Sequence, residues 1–273
     1  MEPSRAIERH DDVVYATLSG RPMHLDVVVP RDADRPPLVM LFHGGAFLRG
    51  DENAMHTAAG RLAALGYASA AVEYRAIGED RHDFPDGLAD ARCAVRFLRA
   101  EAERFGIDAE RTAVVGFSAG GYFAASLALQ ADEPGLDGDC PRRGDASVRG
   151  AVAYFAPLDL RPSADWSAPS ENLFEDMLGG APEDHPDRAA RASPVASADP
   201  EDAPLLVVSG DRDDIVPIAR TRAAVEHARR GGAPVALVTV EGASHGFGWG
   251  SADAPAKASC ATAALLRSVL DAP

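Results

Sequence analysis

No stretch of the 273 residues approaches 18 consecutive apolar positions, so no membrane-spanning helix is expected. Positive charge is scarce as well. Lys+Arg number 27 against 42 Asp+Glu, a net charge of −15 at pH 7. Such a surface repels phosphate backbones and argues against general nucleic-acid binding. Cysteine is rare and odd in number: Cys93, Cys140 and Cys260, with no metal-like spacing. They read as buried or free thiols of a reducing cytoplasm, with Cys140 in a polar loop open to exposure. Met1 to Gly20 lacks an apolar run and carries Glu2, Arg5, Glu8, Arg9, Asp11 and Asp12. No signal peptide and a cytoplasmic location are therefore expected. His10, His24, His56, His82, His185 and His227 lack mutual metal spacing and read as structural or solvated. No G-x-G-x-x-G opens a βα unit, so a dinucleotide cofactor is not expected. Repeats and low-complexity tracts are also missing.

What is present is ordinary globular composition, 46% hydrophobic and 25% charged, in a chain long enough to bury a full core. Apolar runs alternate with helical patterns. Candidate strands are Val13–Leu18, His24–Val29, Leu38–His43, Ala68–Glu73, Thr112–Phe117, Arg149–Phe155, Pro204–Ser209 and Val235–Val240. Runs such as Leu38-Val39-Met40-Leu41-Phe42 are continuous, as in strands buried on both faces. Leu88, Ala91, Val95, Leu98, Ala102 and Phe105 recur at spacings of 3 and 4, one face of an α-helix. Arg92, Arg96, Arg99, Glu103 and Arg104 fall on the other face. Further helices are expected at Ala54–Leu65, Ala119–Gln130, Ile218–Arg230 and Ala254–Leu270. The β-α alternation predicts a mostly parallel sheet wrapped by helices. The Ser19–Pro22 turn predicts an antiparallel hairpin at one edge. Asp132–Ser147 reads as a surface loop. Residues 160–193 are polar and Pro-rich yet hold Trp166, Leu173, Phe174, Met177 and Leu178, which suggests a cap inserted into a single domain, residues 1–273.

The chemistry concentrates in three places. Gly116-Phe117-Ser118-Ala119-Gly120 lies between a buried strand and a helix, the context of a G-x-S-x-G nucleophile elbow. The tight turn strains the serine backbone and presents its hydroxyl above the sheet. The helix beginning at Ala119 adds unpaired N–H groups and a positive dipole end where an oxyanion would form. The bare pattern recurs at Gly242-Ala243-Ser244-His245-Gly246, where no helix begins at once, so Ser118 is the candidate nucleophile. After the strand at 38–42 comes His43-Gly44-Gly45-Ala46-Phe47, whose amides can face a developing negative oxygen. Gly45 and Ala46 are the expected donors, with Gly44 possible and Ala119 opposite; His43 is expected to shape the loop. A serine needs a base, and His245 stands in a glycine-rich loop after the last strand. The base needs a carboxylate, and Asp211, Asp213 and Asp214 compete after the strand at 204–209. Asp213 is preferred. The order Ser118…Asp213…His245 is the one this type of elbow requires.

With these residues the chain resembles the α/β-hydrolase superfamily over about Tyr15 to Leu270. It is most similar to the esterase/lipase branch with an H-G-G motif, including hormone-sensitive-lipase-like and feruloyl or acetyl-xylan esterase-like members. Val72-Glu73-Tyr74-Arg75, Phe84-Pro85, Phe105-Gly106-Ile107-Asp108 and Ser193-Pro194-Val195 also match the family's pattern. Departures are Ala46 for a third glycine, Phe47 where relatives often carry Trp, and Ala-Ile-Gly-Glu-Asp after Arg75. The resemblance implies an eight-stranded sheet with helices on both faces, a Ser–Asp–His triad and cofactor-free hydrolysis of carboxylic esters. The expected pocket lies among Phe47, Phe117, Tyr122, Trp166, Phe174, Met177, Phe247 and Trp249, for small to medium neutral acyl groups. Acyl transfer or formamide hydrolysis on the same triad, or silent ligand binding, are the alternatives. The expected partner is a small-molecule ester, and an edge strand or the last helix could support a homodimer.

Overall fold

The computed structural model describes residues 6–77, 83–131, 133–162, 168–247 and 255–271. Its strands are β1 (Ile7–Leu18), β2 (Arg21–Pro30), β3 (Pro37–Phe42), β4 (Ala68–Val72), β5 (Asp108–Phe117), β6 (Gly150–Tyr154), β7 (Leu205–Gly210) and β8 (Val235–Val240). They form one eight-stranded sheet in the order β1-β2-β4-β3-β5-β6-β7-β8. β1 and β2 are the antiparallel edge hairpin, and β2 also runs antiparallel to β4. Every other neighbouring pair is parallel. β5 starts four residues before the expected Thr112, because its polar beginning still pairs at Pro37↔Asp108.

The sheet is buried on both faces because neighbouring residues on each central strand serve different layers. Leu38, Met40 and Phe42 of β3 join one apolar cluster, and Val39 and Leu41 join the other. On the first face pack α2 (Asp86–Ala100), α4 (Ala119–Leu129) and α7 (Ile218–Gly231); on the second pack α1 (His56–Leu65) and α8 (Ala256–Leu270). The remaining helices are α3 (Ala102–Phe105), α5 (Ala168–Leu178) and α6 (Pro186–Arg191). The last two belong to the 160–193 stretch between β6 and β7. Among the described residues no helix is long and apolar enough to cross a membrane.

Two expectations are corrected. Cys93 and Cys140 are joined in a disulfide, and Cys140 is buried; Cys260 is free and exposed. Disulfides belong as a rule to oxidising surroundings, which removes the thiol argument for a cytoplasmic location. The stretch read as a surface loop covers arginines of α2. Arg92 and Arg96 are buried beneath the 133–147 segment, where Asp137 accepts from Arg92 Nη1 at 3.2 Å and Arg96 Nη2 at 2.8 Å. Burial works against the Asp137 charge, but the two guanidinium groups outweigh it and hold the carboxyl below its ordinary range. That segment is therefore a packed flap over α2, pinned by the disulfide, rather than a plain surface loop.

Candidate active site

The parallel strands end level with one another: Phe42 pairs with Gly116, Phe117 with Tyr154, and Gly210 with Val240. Loops that are far apart in sequence therefore emerge along one rim. Ser118 stands at the turn from β5 into α4 with φ +53° and ψ −115°, a left-handed conformation costing on the order of 1–3 kcal/mol. The turn closes because its glycines leave no side chain in the way. A Cβ on Gly116 would sit 2.0 Å from the Gly120 oxygen, and one on Gly120 would sit 2.2 Å from the Phe42 oxygen.

His245 Nε2 lies 3.0 Å from Ser118 Oγ, and His245 Nδ1 lies 2.9 Å from Asp213 Oδ2. The Asp213 side chain is fully buried, and its Oδ1 accepts the N–H groups of Ile215 at 3.0 Å and Val216 at 2.8 Å. Those bonds fix the carboxylate before the imidazole meets it. The competing acids go elsewhere. Asp211 accepts the Gly242 N–H at 2.7 Å, and Asp214 is exposed. Ser244 is also exposed, in a loop where a Cβ on Gly242 or Gly246 would meet nothing within 4 Å. The second G-x-S-x-G is thus an open turn and not an elbow.

The loop after β3 lies against the serine. A Cβ on Gly44 would be 3.4 Å from Ser118 Cβ. Gly44, Gly45 and Ala46 line the same cavity as Ser118 and His245. Among the described residues no acceptor reaches the N–H of Gly45, Ala46 or Ala119. His43 is buried, stacks on Tyr74 at 4.3 Å and donates from Nδ1 to the Gly44 oxygen at 2.7 Å. Burial pushes its pKa down, so the neutral ring holds the loop from below.

The cavity over Ser118 has a volume of about 610 Å³. Phe47, Phe117 and Phe174 line it. Tyr122 does not: it is fully buried under Phe47, with ring centroids 5.4 Å apart. Met177 is buried beside a separate small cavity, and Phe247 packs on Tyr154 and Phe155. Trp166 and Trp249 lie outside the described residues. Sequence reading missed Phe155, Met55, Leu173 and Val216 in the wall. Phe155 has φ +39°, and its ring meets the His245 ring edge-on at 4.8 Å. Its place directly after β6 was the available signal, since that strand ends on the same rim.

Against known families, residues 25–227 match BD-FAE. The chain belongs to the BD-FAE family of α/β hydrolases. This BD-FAE chain is 30% identical to Esterase LipC of Mycobacterium tuberculosis over 218 residues, 77% of this chain and 53% of that protein. It spans about half the length of the mycobacterial relatives it matches. Ethyl acetate hydrolase of Pseudomonas putida is 30% identical over 256 residues, 86% of this chain and 74% of that one. Among solved structures, the apo form of Thermogutta terrifontis esterase 2 superimposes with a TM-score of 0.78 at 26% identity, covering 100% of this chain and 98% of that one. The BD-FAE fold here is the eight-stranded, mostly parallel sheet of that esterase class.

Proposed function

We propose that this BD-FAE protein is a serine carboxylic ester hydrolase working through Ser118, His245 and Asp213. The observation that carries the reading is the 3.0 Å contact between Ser118 Oγ and His245 Nε2 in the wall of a 610 Å³ cavity. Nδ1–H of His245 donates to Asp213, so Nε2 is free to accept the serine proton. The serine oxygen then attacks the ester carbonyl carbon. Negative charge gathers on the carbonyl oxygen, which the N–H groups of Gly45, Ala46 and Ala119 stabilise. Removing one such donor costs on the order of 10²–10³ in rate in comparable sites. The imidazolium gives its proton to the departing alcohol and leaves an acyl-enzyme. Water, activated by His245, releases the acid and restores the serine.

Phe117, Phe155, Phe174, Val216 and Met55 give the cavity an apolar lining. That lining, with a volume in the ordinary range for small ligands, supports small to medium neutral acyl groups. Two relatives, Esterase LipC and ethyl acetate hydrolase, are named for ester cleavage, which supports this substrate class. The test is labelling of the purified protein with a fluorophosphonate probe, together with turnover of p-nitrophenyl esters of increasing chain length. Wild type is expected to label and to favour short chains; Ser118→Ala is expected to do neither, and Ser244→Ala to behave as wild type. Unchanged turnover in Ser118→Ala would overturn the reading.

A further inference from the structure

Phe47 borders two cavities. The first is the 610 Å³ cavity over Ser118. The second is a void of about 20 Å³, lined mainly by the apolar side chains of Ile77, Phe84, Leu88, Phe123 and Met177. Among the described residues, Phe47 is the only one common to both linings. α5 passes along the two: Phe174 lines the first, and Met177, one turn on, lines the second. A void of this size has room for one water-sized group and no more.

The Phe47 ring is a fixed partition between the two. The residue is only 3% exposed. Its φ is +58°, directly after Ala46 at +55°. Residues other than glycine hold such left-handed angles only where their surroundings impose them. Here the surroundings do so. The Phe47 carbonyl accepts the Ile77 N–H at 2.7 Å, and Ile77 lines the smaller void. The ring stands edge-on to Tyr122 and to Phe123, with centroids 5.4 Å and 5.7 Å away. Both partners are buried in the same apolar cluster as Leu88 and Met177. In close-packed surroundings a ring so held does not swing aside for a substrate chain.

We propose that Phe47 sets the upper limit of substrate chain length. The inference rests on the ester-hydrolase reading above and gives its short-chain preference a cause. A linear apolar chain, on the acyl or the alcohol half of the ester, runs along the apolar lining from Ser118 and ends against the Phe47 ring. Up to that point each buried methylene is worth about 4-fold in kcat/KM. Beyond it, further methylenes find no apolar wall and add nothing. A smaller side chain at position 47 joins the void to the catalytic cavity, and the chain then runs on toward Leu88 and Met177.

The experiment compares kcat/KM of the full chain and its Phe47→Leu and Phe47→Ala variants on two ester series. One is p-nitrophenyl acetate to decanoate, which lengthens the acyl half; the other is methyl to octyl acetate, which lengthens the alcohol half. Circular dichroism checks the fold, and Phe47→Leu serves where Phe47→Ala does not fold. The long-to-short ratio within each variant cancels any loss common to all substrates. In one of the series the octanoate-to-butyrate or octyl-to-butyl ratio is expected to rise at least about 10-fold over wild type, from two or more newly buried methylenes. The series that responds identifies the half of the ester that meets Phe47. Phe174→Ala widens the same cavity without opening the void and is expected to leave both ratios within a few-fold of wild type. Unchanged ratios in folded Phe47 variants, or an equal rise in Phe174→Ala, would overturn the partition. Calorimetric binding of linear 1-alkanols to Ser118→Ala, with and without Phe47→Leu, reads the same limit without turnover. If wild type cleaves no ester, the hydrolase reading fails, and the alkanol series alone decides whether Phe47 limits the chain.

Discussion

The Gly210 Cα lies so close to Ala243 that a Cβ added to it would sit 2.1 Å from the Ala243 carbonyl oxygen. That contact presses the loop after β7 against the loop after β8. Arg212 N–H donates to the same oxygen at 3.0 Å, and Asp211 accepts the Gly242 N–H at 2.7 Å. One loop carries Asp213 and the other carries His245. Gly210→Ala should therefore push the two apart. Displacements near 1 Å at a reacting centre can cost about 10²-fold. The expected result is a loss of at least about 10-fold in kcat/KM for p-nitrophenyl acetate with an unchanged far-ultraviolet spectrum. Wild-type turnover would mean that the loops hold their spacing without this approach.

The three acids after β7 can be separated by single substitutions. Asp213→Asn keeps the shape but offers an amide to His245 Nδ1, which favours the wrong tautomer. The corresponding change in a well-studied serine triad costs about 10⁴ in kcat, and a loss of that order is expected here. Asp214→Asn, at an exposed position, should stay within a few-fold of wild type. Asp211→Asn keeps an oxygen for the Gly242 N–H and should also be mild. Steady-state rates of the three variants decide the matter, and comparable losses at Asp213 and Asp214 would move the role away from Asp213.

The elements that position this site were legible because their signals are local. The run at 38–42 and the Gly116–Gly120 spacing each encode a strand end within a few residues, and parallel pairing then aligns those ends. The pocket wall was less legible. α4 is buried on every side, so its sequence has no polar face to show which way Tyr122 points. The Cys93–Cys140 pair spans 47 residues, and the flap that it pins is polar in composition. Nothing in that composition shows that Asp137 lies over Arg92 and Arg96, because the meeting is made by tertiary packing. Phe155 and Met55 enter the cavity from a loop and a short 3-10 turn that carry no motif.

Arg75 and Asp90 form an ion pair with side chains only 1% and 0% exposed. Asp90 accepts from Arg75 Nη2 at 2.6 Å, from Nε at 3.0 Å and from the Arg75 backbone N–H at 2.8 Å. Arg75 also reaches Ser19 at 2.9 Å and Asp139 at 2.9 Å, which ties the edge hairpin and the flap to α2. Asp90→Ala would leave the guanidinium buried without its main partner. Breaking a buried pair in this way costs about 3–5 kcal/mol. Urea unfolding should show that loss as a lower midpoint with an unchanged slope, and a loss below about 1 kcal/mol would mean that Asp139 and Asp86 compensate.

At the opposite end of the sheet, ahead of β7, Asp202 offers a test of the sign of one ionisation. Burial pushes its carboxyl up to about 6; the bond from the Asp199 N–H opposes this, and the Asp199 charge adds to it. In the unfolded chain an aspartate titrates near 3.9. Below that value both states are protonated and Asp202 contributes nothing. Between about 4 and 6 the unfolded chain loses its proton first, so stability falls as pH rises, and the deficit is complete above 6. Asp202→Asn removes this charge while its side-chain oxygen can keep the Asp199 N–H bond. It should match wild type near pH 4 and exceed it at pH 7 by about 1 kcal/mol, after discounting for solvent around a partly exposed group. Urea midpoints at the two pH values measure the difference, and an equal gain at both would assign the effect to packing instead of charge.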